Sequence, residues 1–374
     1  MVYLDYSATT PVNKEVLETF NKCCLDFLGN SNSLHKLGVR CNKLINEATF
    51  QIASLFNVLP SEIIYTSGST ESNNTALIGV ALRNKNKGNK IITTKYEHSS
   101  VIESLNYLKT LGFVIEYVKT DLFGRVDLNN LKEILDDNTI IVTINCVNSE
   151  IGIRQPIEEI ADIIKKNSNA YFHTDLTQAV GKCKFDLKNV DLASFSAHKF
   201  FGLKGIGVLI KKENVHMNKL IHGGKSTTIY RSGTPAHPLI ASLAKSVRMA
   251  LEDLENKINY VSELNVYLTQ ELNKISGVHV NSNIYSIPYI LNFSIKGIKA
   301  ETMLHALEEK DIYVSTKSAC SDEDAISEAV YDLTKDLDLA KSSIRISLSH
   351  LTTKEELNYF VDSFKDCLNK LLLK

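Results

Sequence analysis

A chain of 374 residues can bury a large core without disulfide or metal staples, and at ~150 residues per domain it calls for two or three domains, or one long α/β domain with a smaller companion. Its 44% hydrophobic and 23% charged content excludes collagen-like and disordered classes. Lys and Arg (42) balance Asp and Glu (43), which excludes a non-specific nucleic-acid binder and leaves only a local basic patch open.

From the N-terminus, Met1 to Tyr6 offers no basic stretch followed by an apolar run, so no signal peptide is expected. Apolar strand-like runs follow at 63–66, 90–94, 113–118, 139–145, 170–174, 192–196 and 207–210. Helical periodicity fills the gaps at 71–83, 99–111, 128–135 and 157–166. Such alternation predicts a mainly parallel sheet covered on both faces. Gly233, Pro235 and Pro238 make 231–238 the nearest approach to a linker. A long helix is predicted from 239 to about 258 and a second to about 275. A smaller α/β region comes next, with strands at 290–295 and 343–347 and helices at 301–310 and 353–372. No run nears the ~20 apolar residues that span a bilayer, so no membrane partner is expected. The seven cysteines are odd in number, scattered, and never spaced Cys-x-x-Cys. This argues against a disulfide framework or zinc knuckle and for a reducing cytoplasm, with no resident metal.

Three segments carry chemistry. Tyr65 to Asn74 runs from a strand through a hydroxyl-rich turn, with Ser69 and Thr70, into a helix. Backbone N–H groups at a helix start bind anions, so this reads as a phosphate cradle, or else as an N-cap with Glu71 in the first turn. It is not a P-loop, since no Gly-Lys-Ser/Thr follows. His173 to Gln178 ends a strand, where open α/β sheets place ligands. Asp175 there could hold a protonated ring nitrogen and Gln178 could donate to a ring oxygen; a simple Asp N-cap is the alternative. Ser194 to Gly205 ends a strand in Ser196, His198 and Lys199, beside Phe200 and Phe201. A lysine among apolar neighbours has a lowered pKa and can form a Schiff base, although most lysines are solvated surface charges. Asp175 followed 24 residues later by Lys199 is the arrangement expected of a pyridoxal 5'-phosphate (PLP) site.

With these motifs in place the chain resembles the NifS/IscS-type cysteine desulfurases, class V aminotransferases of PLP fold type I. The likeness is carried by Tyr3 to Pro11, Gly29 to His35, Ser67 to Asn74, Tyr96-Glu97-His98 and Asn148 to Gly152. Asp175 with Gln178, Ser196 to Lys199, Gly223-Gly224, Arg231 to Thr234, Ser318-Ala319-Cys320 and Ser343 to Ser347 extend it over about 350 residues. The resemblance implies an α/β fold: a large domain (14–257) with a mainly parallel seven-stranded sheet, and a smaller α/β domain (1–13 and 258–374). It implies that Lys199 carries PLP and that Ser69, Thr70, Ser196, His198 and the partner subunit's Thr234 hold the phosphate. Asp175 would pair with the ring nitrogen, Gln178 with the ring hydroxyl, and His98 would stack on the ring and act with Lys199 and Cys320 in catalysis by moving protons. Ser149 would touch the cofactor, and Asn30, Asn148 and Arg345 the substrate. Cys320 would accept sulfur and transiently ligate an iron–sulfur cluster.

The setting of Cys320 fits that role: polar residues from Ser315 precede it, and Asp322, Glu323 and Asp324 follow. Its alternative is a buried structural thiol. His35, His173 and His237 read as structural. The sequence departs from the family at Ser149, where a second asparagine is usual, at Lys225 to Thr227, and at Ser349-His350. The expected activity is a homodimeric, PLP-dependent conversion of L-cysteine to L-alanine, with a Cys320 persulfide passed to an acceptor protein. A selenocysteine lyase or β-lyase of the same fold, and a non-catalytic sulfur-relay scaffold, are the alternatives.

Overall fold

Continuous runs of Ile, Val, Leu and Thr build the central sheet, because strands covered on both faces must be apolar throughout. The computed structural model describes residues 1–224, 226–316 and 326–373. After β1 (Val2–Tyr3) come two helices, α1 (Lys14–Asp26) and α2 (Lys36–Leu55). The sheet region then alternates: β2 (Ile63–Thr66), α3 (Ser69–Asn84), β3 (Lys90–Thr93), α4 (Ser99–Thr110), β4 (Val114–Tyr117), α5 (Leu128–Ile134), β5 (Thr139–Thr143), α6 (Ile157–Asn167), β6 (Tyr171–Asp175), β7 (Leu192–Ser196) and β8 (Gly207–Lys211). Among the described residues seven strands form this sheet, in the order β2-β8-β7-β6-β5-β3-β4. Only β8 runs antiparallel to its neighbours. Since β8 opposes both β2 and β7, those two run the same way, and their last residues, Thr66 and Ser196, both face Gly207. That register brings the Ser67–Thr70 turn beside the Ser196–Lys199 turn.

The remainder comprises α7 (His237–Leu251), α8 (Leu254–Asn273), β9 (Val278–Val280), β10 (Ile290–Ile295), α9 (Ala300–Glu308), β11 (Ile312–Tyr313), β12 (Ser315–Thr316), α10 (Glu328–Thr334), α11 (Leu337–Lys341), β13 (Ser343–Ser347) and α12 (Lys354–Leu372). A second, antiparallel sheet has the order β12-β13-β10-β9. The first residues join this end of the molecule: β1 pairs with β11, and Asp5 bridges Ser347. One apolar cluster runs from Phe195 on β7 through Leu4 to Phe293, Phe360 and Phe364.

The break predicted near 258 between two long helices falls earlier, between α7 and α8. The chain breaks at Glu252 and Asp253, where Asp253 takes a left-handed φ of 54°, a conformation that Asp tolerates better than most side chains. The sequence reading contained neither α1 nor α2. Of the thirteen residues of α1 only Val16 and Cys23 are buried, so its apolar stripe is too thin to stand out. Among the described residues no helix is long and apolar enough to cross a membrane.

Candidate active site

A cavity of about 470 Å³ lies where β2, β6 and β7 end, between the sheet and the N-terminal segment. Its floor is the turn into α3. Gly68 caps that helix without any side-chain bond, so the first-turn N–H groups are not consumed by a capping side chain. Glu71 reaches back past the N-cap to accept from Ser67 N–H (2.8 Å) and also accepts from Arg231 Nε (2.9 Å), so it engages a group outside the first helical turn. The geometry therefore favours the cradle over the simple capping reading. Ser69 N–H donates to Ser196 Oγ (2.6 Å), which in turn donates to Ser69 Oγ (3.1 Å). Gly207 makes this approach feasible, since a Cβ there would sit 2.6 Å from Phe195 O and 2.7 Å from Gly68 Cα.

Asp175 is buried at the end of β6 and both its oxygens are engaged, Oδ2 by Asn73 Nδ2 and Oδ1 by Thr177 N–H, each at 2.8 Å. Behind it His173 lies between Thr143 Oγ1 (2.8 Å) and Ser194 Oγ (3.0 Å); burial lowers its pKa to about 4 and keeps it neutral. Lys199, in the 3-10 turn after β7, donates Nζ to the carbonyls of Ser7 (2.8 Å) and Ala8 (2.9 Å). Burial first, and the Arg345 guanidinium second, bring its pKa down to about 8 against the pull of Asp175 and Asp5. His198 shares Nδ1 with Thr9 Oγ1 (3.1 Å), and burial with nearby lysines lowers it to about 4. Gln178 donates Nε2 to Ser7 O (3.0 Å) and accepts from Lys182 Nζ at Oε1 (2.6 Å).

On the opposite wall Arg345, from β13, donates Nη1 to Ser149 O (2.9 Å) and Nη2 to Asp5 Oδ1 (2.8 Å). His98 caps α4, and its Nδ1 accepts from Ser100 N–H (3.1 Å). The neighbouring Glu97 is half-buried, and burial raises its carboxyl to about 8.

The cavity thus gathers Ser69, Thr70, His98, Ser149, Asp175, Gln178, Ser196, His198, Lys199 and Arg345. It does not gather Asn148, whose Nδ2 donates to Tyr96 O (2.9 Å) and whose Oδ1 accepts from Glu150 and Ile151 N–H, stapling the loop instead. Nor does it gather Asn30, an exposed side chain that closes a local turn with Asn32 N–H (2.9 Å). Thr234 is exposed and lines a neighbouring hollow with Arg231 and Ser67. Cys320, with Asp322 to Asp324, lies outside the described residues, as does Lys225. The three structural histidines behave as read, with His35 capping α2 and His237 bonded to Phe27 O (2.7 Å). Among the described residues no cluster of His, Cys, Asp or Glu could hold a metal ion.

Sequence reasoning gave no role to Asp5, Ser7, Ala8, Asn73, Asn145 or Lys182. For the first three the signal existed, as the opening Tyr3 to Pro11 motif. The carbonyls that bind Lys199, however, belong to the backbone and have no residue signature.

Buried polar atoms normally have partners. Five that have none, Ser7 Oγ, Tyr96 Oη, Asn145 Oδ1, Thr177 Oγ1 and Arg345 Nε, belong to residues lining this one cavity. A polar ligand fits such a lining. An anion cradle, a carboxylate at a strand end, an amide donor and a lysine of lowered pKa form a donor set suited to PLP.

The family model for class-V aminotransferases matches residues 2–360. A protein named cysteine desulfurase IscS from Dictyoglomus turgidum is 40% identical over 375 residues, covering 99% of this chain and 95% of that one. A solved NifS-like protein superposes with a TM-score of 0.93 at 36% identity, covering 98% of this chain and 99% of the other. A structure of SspA in complex with cysteine gives a TM-score of 0.82 at 28% identity over 94% of this chain and all of that one (100%). A family model spanning most of the chain, and near-complete alignment with named relatives, agree with the cavity built from Asp175, Gln178 and Lys199: the chain belongs to the class-V aminotransferases, among the NifS/IscS-type cysteine desulfurases.

Proposed function

We infer that this protein is a PLP-dependent cysteine desulfurase, converting L-cysteine to L-alanine and passing the sulfur on. The observation that carries the reading is the half-buried Lys199 amine, of lowered pKa, at the strand end beside Asp175 and the cradle. PLP, when bound, supplies an electron sink for the carbanion formed at the substrate Cα. Lys199 would anchor it and, once released by the substrate amine, take the Cα proton at Nζ. Asp175 would keep the ring nitrogen protonated, and Ser69, Thr70, Ser196 and His198 would hold the phosphate. The planar fork of Arg345 suits the substrate carboxylate, which would displace Asp5 from it. Ser149 presents only its carbonyl to Arg345, so it supports the substrate side indirectly.

Cys320 would supply the thiolate. Its attack on the substrate sulfur breaks the Cβ–S bond, leaves a Cys320 persulfide, and lets the carbon skeleton depart as alanine after protonation. The persulfide is a reversible carrier state, for an acceptor protein such as an iron–sulfur scaffold. We further propose a homodimer in which Thr234 completes the partner's phosphate site, its exposure in a single chain supporting that role. The division into 14–257 and 1–13 with 258–374 is supported by the pairing of β1 with β11. The odd, scattered cysteines support a cytoplasmic location.

The test is direct. Protein loaded with PLP and given L-cysteine and a thiol reductant should release sulfide and alanine in equal amounts. Cys320→Ser should bind PLP and cysteine yet release no sulfide. Full sulfide release by Cys320→Ser would remove Cys320 from the reaction.

A further inference from the structure

Lys182 is a buried cation outside the roles assigned above. Between β6 and β7 the chain makes helical turns, with Val180 N–H bonded to Leu176 O (3.1 Å) and Cys183 N–H to Ala179 O (3.1 Å). Residues four apart on such turns lie side by side. Gln178 and Lys182 are four apart, and Lys182 Nζ is 2.6 Å from Gln178 Oε1. Gln178 Nε2 is bonded to Ser7 O, the carbonyl that also receives Lys199 Nζ.

An amide is an acceptor on one edge and a donor on the other, and a lysine ammonium can only donate. With Nζ on Oε1, the donor edge of Gln178 must face Ser7 and the cavity. The flipped amide would set its N–H groups against the ammonium and its oxygen against the Ser7 carbonyl, exchanging two hydrogen bonds for two repulsions. Ser7 O by itself favours the same orientation, and Lys182 Nζ adds a second bond that holds it there. We propose that Lys182 is a positioning residue, fixing the Gln178 amide so that its second N–H is available to the phenolic oxygen of the cofactor ring. This deepens the PLP reading and rests on it. The cost of the arrangement is visible in Lys182 itself: burial, then the nearby Lys199 and Arg345, lower its pKa to about 7, with only Cys183 acting the other way.

The test reads the absorption of the bound cofactor against pH. A donor to the phenolic oxygen favours the deprotonated form of the bound cofactor, so losing that donor should carry the yellow band to higher pH. Lys182→Met should raise the titration midpoint by ~0.5 unit or more, and Gln178→Leu should raise it similarly. In the Gln178→Leu background Lys182→Met should add nothing, because its effect runs through that amide. Lys182→Arg, which keeps a donor, should titrate like the wild type. An unmoved midpoint in Lys182→Met, an equal shift in both backgrounds, or a raised midpoint in a folded Lys182→Arg overturns the proposal. Wild-type protein that takes up no cofactor would instead overturn the PLP reading, so the two failures are distinguishable.

Discussion

Lys199 must be an amine to react, and its surroundings tune how often it is one. At a pKa of about 8 roughly a tenth of the population is neutral at pH 7, against well under a thousandth at 10.5. The rate at which the apoprotein captures PLP should therefore rise with pH, with an inflection near 8 and a plateau above it. Arg345→Met removes a like charge, so its inflection should move up; stopped-flow capture across a pH series reads both, and a shared inflection would separate Arg345 from Lys199. Asp175 invites a second substitution. Both its oxygens accept from fixed donors, Asn73 Nδ2 and Thr177 N–H, so Asp175→Asn must turn an N–H toward one of them. That mismatch costs ~1–3 kcal/mol, and the ring nitrogen loses its charged partner as well. A folded variant that retains PLP poorly and turns over little is the expected result, with near-normal turnover the contrary one. These two residues were legible in the sequence because each sits in a short motif at a strand end. Asn73 was not, since its amide meets Asp175 only through the fold, 102 positions along the chain. Asn30 and Asn148 show the reverse: a family motif singles them out, while here their side chains are spent on local turns.

At the level of elements, the site is a matter of strand ends. Gly207 lets β2 and β7 close on the same point, and a methyl group there would meet backbone on two sides, Phe195 O and Gly68 Cα. Backbone cannot swing aside as a long side chain can, so Gly207→Ala should push the cradle turn away from Ser196. Dialysis should then strip PLP far more readily than from the wild type; unchanged retention would show that the turn has slack. The strands of this sheet were readable because their burial leaves long apolar runs, and 63–66 and 192–196 coincide with β2 and β7. The two-residue strands β1, β11 and β12 are too short for any periodicity, and tertiary pairing alone defines them. The turn between α7 and α8 lies earlier than the periodicity predicts because Glu252-Asp253 carries no Gly or Pro to mark it.

For the molecule as a whole, the exposed Thr234 and the half-buried Lys199 make a test of assembly. Thr234→Ala and Lys199→Ala chains, each weak alone, should recover activity on mixing if a dimer places both lesions in one site and leaves the other intact. Absence of recovery in demonstrated heterodimers would return Thr234 to its own subunit. A different consequence follows from the first residues. Ser7 N–H bonds to Ser347 Oγ and Asp5 pairs with Arg345, contacts 340 positions apart. Closing a flexible loop of that length costs ~5 kcal/mol of chain entropy, a term that must be met before the contacts reward it. Ser7 and Ala8 precede Lys199 in the chain, yet their carbonyls are held against it by a segment that Ser347 of β13 ties down. A nascent chain, or a proteolytic remnant that keeps the seven-stranded sheet alone, carries the reactive lysine without the cage that tunes it. The site is thus complete only once β13 has joined the first residues, and a chain cut before β13 should hold PLP more weakly than the whole protein.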